Sequence, residues 1–206
     1  MAGVILDIKR LRQRKKTKIF FQRPAEYVAK NLLGDLLVLC KNKSILVGKI
    51  VETEAYLGRE DEASHSFGGK ITLRNQVMYS EGGKIYTYLI YGKFWCFNIV
   101  ASKKDDPQAV FIRALEPLYG IRTMLRNRSG NHNNLTNGPC RWTTAFGINK
   151  TFLGRDILSD KLFIASGQAK NFEIVETKRI GIDYATRSKD LPLRFYIKGS
   201  PFVSKR

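Results

Sequence analysis

Two carboxylates two residues apart stand in the run Val51-Glu52-Thr53-Glu54-Ala55-Tyr56, whose apolar and β-branched content suits a strand. A strand turns successive side chains to opposite faces, so Glu52, Glu54 and Tyr56 share a face unless the strand bends. A carboxylate can activate water, and an aromatic ring beside it can stack on a base. The pattern does not choose between the two acids, and it also fits solvated carboxylates on a half-exposed strand. Arg113 lies inside the apolar run 109–115. An arginine there needs a partner, because an unpaired buried charge is costly. A glutamate would serve, either as a structural ion pair or as a pair that holds a water.

The run Lys84-Ile85-Tyr86-Thr87-Tyr88-Leu89-Ile90-Tyr91-Gly92-Lys93-Phe94-Trp95-Cys96-Phe97-Asn98 is broken at Tyr91-Gly92, which reads as a hairpin tip. Gly92 would supply the positive φ of the turn. Leu89, Ile90 and Tyr91 at an exposed tip are unfavourable in water. On a basic protein such a tip can instead be a wedge pushed between base pairs. Tyr86 and Tyr88, two apart, share a face and could wall an aromatic pocket. A core hairpin rich in aromatics is the simpler alternative.

The charge supports the nucleic-acid version. Lys and Arg number 36 against 18 for Asp and Glu, a formal net charge of +18. Such a balance attracts a polyanion, with nucleic acid ahead of an acidic membrane surface. No apolar run nears the ~20 residues of a membrane span, and no lipidation signal is present, so no membrane partner is expected. The cluster Lys9, Arg10, Arg12, Arg14, Lys15, Lys16, Lys18 follows a short apolar start, the reverse of a secretory signal. Residues 1–22 therefore read as a basic arm, and 23–206 as one domain. Cys40, Cys96 and Cys140 lie far apart, which fits free thiols better than disulfides or a zinc site. With only His65 and His132 besides, neither a metal nor a cofactor is expected.

The elements that would position these groups follow from period and punctuation. A helix is expected over 24–33, ended by Gly34. Strands are expected at 36–40, 45–56, 84–91, 94–100 and 108–115. Helices are expected over about 116–125 and 138–146, with a polar loop at 126–138 between them. Short strands at 161–165, 173–179 and 193–198 close the chain. Strands joined by short turns favour an antiparallel sheet, so the class is α+β, a single domain with helices beside the sheet.

The segment from Ile50 to Gly58 and the segment Asp61-Glu62-Ala63-Ser64-His65-Ser66 together resemble the 3-methyladenine (alkyladenine) DNA glycosylase family. So do Tyr88-Leu89-Ile90-Tyr91-Gly92, Arg113-Ala114-Leu115-Glu116-Pro117, Gly147-Ile148-Asn149-Lys150 and the stretch from Pro192 to Pro201. The resemblance implies a curved antiparallel sheet with a protruding β-hairpin. It implies hydrolysis of the N-glycosidic bond of a damaged purine flipped from duplex DNA, with no metal and no covalent intermediate. The lesions would be of the 3-methyladenine, 7-methylguanine and hypoxanthine type, and the product an abasic site for base excision repair. It singles out Glu54 as the base that activates water, with Arg113 and the backbone carbonyl of Ile180 holding that water. Tyr56, His65 and Tyr88 would form the slot around the flipped base. Tyr91 would be the wedge, and Asn98 would clash with the amine of a normal guanine. Lys93 stands where some relatives are apolar, and Phe111 is bulky for its position, which bears on substrate range.

The expected partner is damaged double-stranded DNA, met by a monomer, in the cytoplasm or nucleoid of a bacterium or the nucleus of a eukaryote. Two other readings fit the composition. One is a basic nucleic-acid-binding protein without activity, and the other a glycosylase that attacks through a lysine and nicks the strand.

Overall fold

The strand that carries the two carboxylates is the spine of the molecule. A computed structural model describes residues 7–41, 44–129, 134–168 and 171–205. Its sheet contains β1 (Leu36–Lys41), β2 (Ser44–Tyr56), β3 (Ile85–Ile90), β4 (Phe94–Ala101), β5 (Gln108–Tyr119), β6 (Leu162–Ala165), β7 (Ile174–Thr177) and β8 (Arg194–Ile197). The spatial order is β3-β4-β5-β2-β1-β6, and every pairing is antiparallel. On the edge opposite β5, β2 pairs β1 through Lys49, then β8 over Glu52–Glu54. β7 adds beyond β8. Register shifts along β2 fall between Val47 and Gly48 and around Glu52. Bulges bend a strand and raise its twist, so the sheet curls about the carboxylate-bearing half of β2.

Among the described residues, five α-helices flank the sheet: α1 (Ile8–Gln13), α2 (Lys18–Phe21), α3 (Ala25–Leu32), α4 (Ile121–Asn127) and α5 (Pro139–Phe146). In α3 the buried residues Ala25, Val28, Ala29 and Leu32 recur at helical spacing, and Gly34 follows at φ 82°. Pro139 opens α5, which sinks Trp142 and Phe146 into the core; the Trp142 indole donates to the carbonyl of Ile112 at 2.9 Å. The α+β class and single antiparallel sheet are as expected.

Two expectations change. The helix expected from residue 116 does not start there, because β5 runs on through Glu116-Pro117 to Tyr119. Pro117 has no N–H to give a ladder, but it pairs Gly48 at a bulge, on the part of β5 that β4 no longer accompanies. Gly120, at φ 82°, makes the turn into α4. The basic segment is also no free arm from Asp7 onward. Asp7 caps α1 by accepting from the Arg10 amide, and Leu11 packs among Val38, Val47, Phe163 and Ala165. Arg14 donates to the Gly167 carbonyl, Lys16 pairs with Asp35 at 3.0 Å, and Phe21 is fully buried in the main core. Charge masked two buried apolar residues, Leu11 and Phe21. Residues 1–6 and His132 lie outside the described residues. The end of the loop expected at 126–138 is less polar in place than in composition, since Leu135 is buried and Thr136 hydrogen-bonds β5 at Leu115.

Candidate active site

Four strands and two loops bring the singled-out residues to one cavity of about 570 Å³. Its walls include Tyr56 from β2, His65 from the loop after it, Tyr86 and Tyr88 from β3, Asn98 from β4, Phe111 and Arg113 from β5, and Ile180. Glu54 has no exposed surface, but its three hydrogen-bonding partners, Tyr56, Arg113 and Ile180, all line the cavity.

The environments separate the two acids. Glu54 Oε1 accepts from the Ile180 amide at 2.8 Å; Oε2 accepts from the Tyr56 hydroxyl at 3.0 Å and pairs with Arg113 Nη1 at 3.1 Å. Glu52 Oε1 instead accepts from Arg113 Nε at 3.2 Å, Arg194 Nε at 2.7 Å and Ser204 Oγ at 2.9 Å, while Oε2 accepts from the Ser204 amide. Glu52 is thus saturated by the chain's own C-terminal residues and does not line the cavity. Glu54 is held by three donors that all line it. Burial works against the Arg113 charge, but the carboxylates of Glu54 and Glu52 outweigh it and hold its pKa above the usual arginine range. Burial, then the Glu54 charge, raises the Tyr56 phenol well above its ordinary value, so it stays a donor.

The expectation for Ile180 concerned its carbonyl, whereas the contact seen is its N–H donating to Glu54. What aims that amide is a feature the sequence reading passed over. Arg179, 5% exposed, forms a two-pronged pair with Asp61, Nη1 to Oδ2 at 2.5 Å and Nη2 to Oδ1 at 2.8 Å. The same guanidinium donates to the carbonyls of Ala55 and Ser188 and lies 4.7 Å from the centroid of the Tyr56 ring. Asp61 in turn accepts from the amides of Leu57 and Ala63. One buried ion pair therefore fixes the chain on both sides of Glu54 and Tyr56. Asp61 was within the quoted motif, and Arg179 adjoined Ile180, but nothing in their spacing joined residues 118 apart.

The aromatic wall is a contiguous set of rings. His65 lies 4.6 Å from Tyr88 and 5.8 Å from Tyr86, both edge-to-face, and Tyr86 lies 5.4 Å from Tyr88. His65 Nδ1 shares a 2.7 Å hydrogen bond with the Tyr86 hydroxyl. Enclosure, then the Arg74 charge, lowers the His65 pKa to about 4, so the imidazole is neutral at pH 7. Burial pushes Tyr86 up to about 12 and raises Tyr88 as well. Every ring of the wall is uncharged near neutrality. Asn98, 4% exposed, is braced by donating to the Tyr86 carbonyl at 3.2 Å. Phe111 stands edge-on to Tyr56 with centroids 6.5 Å apart.

Tyr91 stands apart from that wall. β3 and β4 pair up to Ile90 and Phe94, leaving Tyr91, Gly92 and Lys93 as the tip. Tyr91 has φ 50° and Gly92 φ 67°, so the turn needs left-handed backbone at a tyrosine as well as at the glycine. Tyr91 is 86% exposed yet still borders the cavity mouth. Among the described residues no three His, Cys, Asp or Glu side chains gather as a metal-ligand set. No helix among them is long and apolar enough to cross a membrane.

A family profile described as methylpurine-DNA glycosylase matches residues 19–201, which contain all the cavity-lining residues named above and Glu54. The chain belongs to the methylpurine-DNA glycosylase family. Its relatives include a protein of Clostridium novyi, 47% identical over 196 residues, covering 91% of this chain and 96% of the relative. A Natranaerobius thermophilus protein is 46% identical over 190 residues, covering 90% and 96%. One from Alkaliphilus oremlandii is 43% identical over 196 residues, covering 91% and 97%. All three bear names for 3-methyladenine DNA glycosylase. The family activity is hydrolysis of a glycosidic bond in DNA, so this chain is a DNA glycosylase of methylated purines.

Proposed function

We propose that this glycosylase extrudes an alkylated or deaminated purine from duplex DNA into the 570 Å³ cavity and hydrolyses its bond with water activated by Glu54. The observation that carries the reading is a fully buried carboxylate held by three donors that line a cavity walled by uncharged rings. Among the described residues Oε1 has one donor, the Ile180 amide, so a second acceptor position is left for a water proton. As the base leaves with the bonding electron pair, positive charge develops on the sugar, and the water oxygen bonds to the anomeric carbon while its proton passes to Glu54. Arg113 holds that carboxylate in place. Bases alkylated at N3 or N7 are cationic, which makes them good leaving groups. Electron-rich faces such as Tyr56 and Tyr88 favour them by about 0.5–2 kcal/mol per ring. A neutral His65 completes the slot without repelling such a cation. Asn98 would meet the amine of an undamaged guanine, and Tyr91 would fill the gap in the stack. A neutral base such as hypoxanthine leaves only with an added proton. The acting unit is taken to be a monomer on damaged double-stranded DNA, working on the nucleoid in a bacterium, the source of the relatives named above.

The test is to incubate the protein with duplexes carrying a single 7-methylguanine or hypoxanthine. Released base and alkali-labile abasic sites are expected, with no protein–DNA adduct trapped by borohydride. Binding without base release would make the chain a nucleic-acid-binding protein only. A trapped adduct would assign the attack to a lysine.

A further inference from the structure

The most exposed large apolar side chain among the described residues is Leu73, 87% exposed, level with Tyr91 at 86%. Ile71, two residues earlier, is 61% exposed. Apolar groups left bare in the free protein call for a partner. The loop that carries them is nonetheless firmly built. Asn75, 3% exposed, accepts from the Thr72 amide at 2.7 Å and from its hydroxyl at 3.1 Å. Its amide group donates to the carbonyls of Lys70 at 2.9 Å and His65 at 2.7 Å. The loop is therefore tied to the backbone of the residue that walls the base slot. Arg74 reaches back over the Tyr88 ring, 5.1 Å from its centroid. Leu73 shares a shallow depression of about 490 Å³ with Leu153, Arg74 and Lys84.

Charge identifies the occupant. No acidic residue stands between Glu62 and Glu81, while Lys70 and Arg74 flank the two apolar residues and are exposed. Apolar residues set between cations match a DNA strand, which offers phosphates at its edge and sugar and base surface between them. We propose that the 70–74 loop is a second DNA contact, in which Leu73 and Ile71 pack on the damaged strand beside the extruded nucleotide while Lys70 and Arg74 meet its phosphates. The proposal rests on the glycosylase reading and adds to the hairpin tip a fixed point on the β3 side of the slot.

The experiment measures affinity for a duplex holding a stable abasic-site analogue, which needs the rim but not the base slot. Wild type is compared with the double variant Ile71→Ser/Leu73→Ser and with Leu118→Ser, an exposed leucine at the far end of β5 from Phe111. The double variant should bind about tenfold more weakly, the scale of half-burying one or two such side chains. Its salt dependence should be unchanged, because no charge is removed, and its melting temperature should stay within ~1–2 °C. The Leu118 variant should bind like wild type. Affinity of the double variant equal to wild type, or an equal loss in the Leu118 control, overturns the contact. If wild type itself binds the analogue no better than undamaged duplex, the glycosylase reading fails and this contact falls with it.

Discussion

Exchanging each acid of β2 for its amide should separate a structural carboxylate from a catalytic one. Glu52 accepts four hydrogen bonds, two of them from the buried guanidiniums of Arg113 and Arg194. In Glu52→Gln the amide offers one oxygen to donors on both sides and removes the charge that two arginines share. Breaking a buried pair in this way costs about 3–5 kcal/mol. At roughly 2–4 °C per kcal/mol for a chain of this size, the melting temperature should fall by about 6–20 °C. In Glu54→Gln the oxygen can keep the Ile180 amide, and the Tyr56 hydroxyl can turn to accept. Only the contact with Arg113 becomes donor against donor, and Arg113 retains Glu52. The cost should be smaller, about 1–3 kcal/mol. Activity should run the other way. Loss of the general base should slow single-turnover excision by about 10²–10⁴-fold or more in Glu54→Gln. Glu52→Gln, assayed well below its midpoint, should lose far less. Melting temperature and single-turnover excision of 7-methylguanine, measured on the same preparations, decide it. If Glu52→Gln is the slower enzyme while still folded, the assignment of the base to Glu54 is wrong.

Tyr91→Ala should leave the melting temperature nearly unchanged, since the ring is exposed, but weaken lesion-duplex binding about ten- to a hundredfold; a large thermal loss with normal lesion preference would remove the wedge. Asp61→Asn should cost about 3–5 kcal/mol near neutral pH, because it strands the buried Arg179. Although burial opposes it, Arg179 holds the Asp61 pKa below its ordinary value, so the pair's stabilisation is present above the unfolded pKa and lost as pH falls through the folded one. The gap in melting temperature between wild type and Asp61→Asn should therefore close below about pH 4, and a gap independent of pH would refute the pairing. Affinity for undamaged duplex should fall with a log–log salt slope near −0.9 per phosphate contact, as the +18 charge requires, and a flat response would contradict a phosphate-bound complex.

Much of the fold was legible because it is local. The apolar, β-branched run of 45–56, the Tyr91-Gly92 break, and the Ala25, Val28, Ala29, Leu32 spacing each express a strand or helix preference or a turn within a few residues. Where local rules compete, the sequence misled. Glu116-Pro117 looked like a helix start, but pairing with β2 across a bulge outweighed the proline signal. The basic charges of residues 9–18 hid the apolar anchors that fold this segment onto the sheet.

The site divides along the same line. The sequence by itself placed an acid, an arginine and a set of aromatic residues in motifs that name their chemistry, because residue types and short spacings carry that information. It could not choose Glu54 over Glu52 from pattern, since both occupy one face of one strand. Only the tertiary structure made them different, by bringing Arg194 and Ser204 from the chain's end to saturate Glu52 and the Ile180 amide to steer Glu54. The Asp61–Arg179 clamp and the Asn75-pinned rim are decided there too. A buried charge or amide settles by satisfying its hydrogen bonds with whatever the fold brings near. Those partners are set by how the sheet curls and by what returns to its edge, and not by distance along the chain.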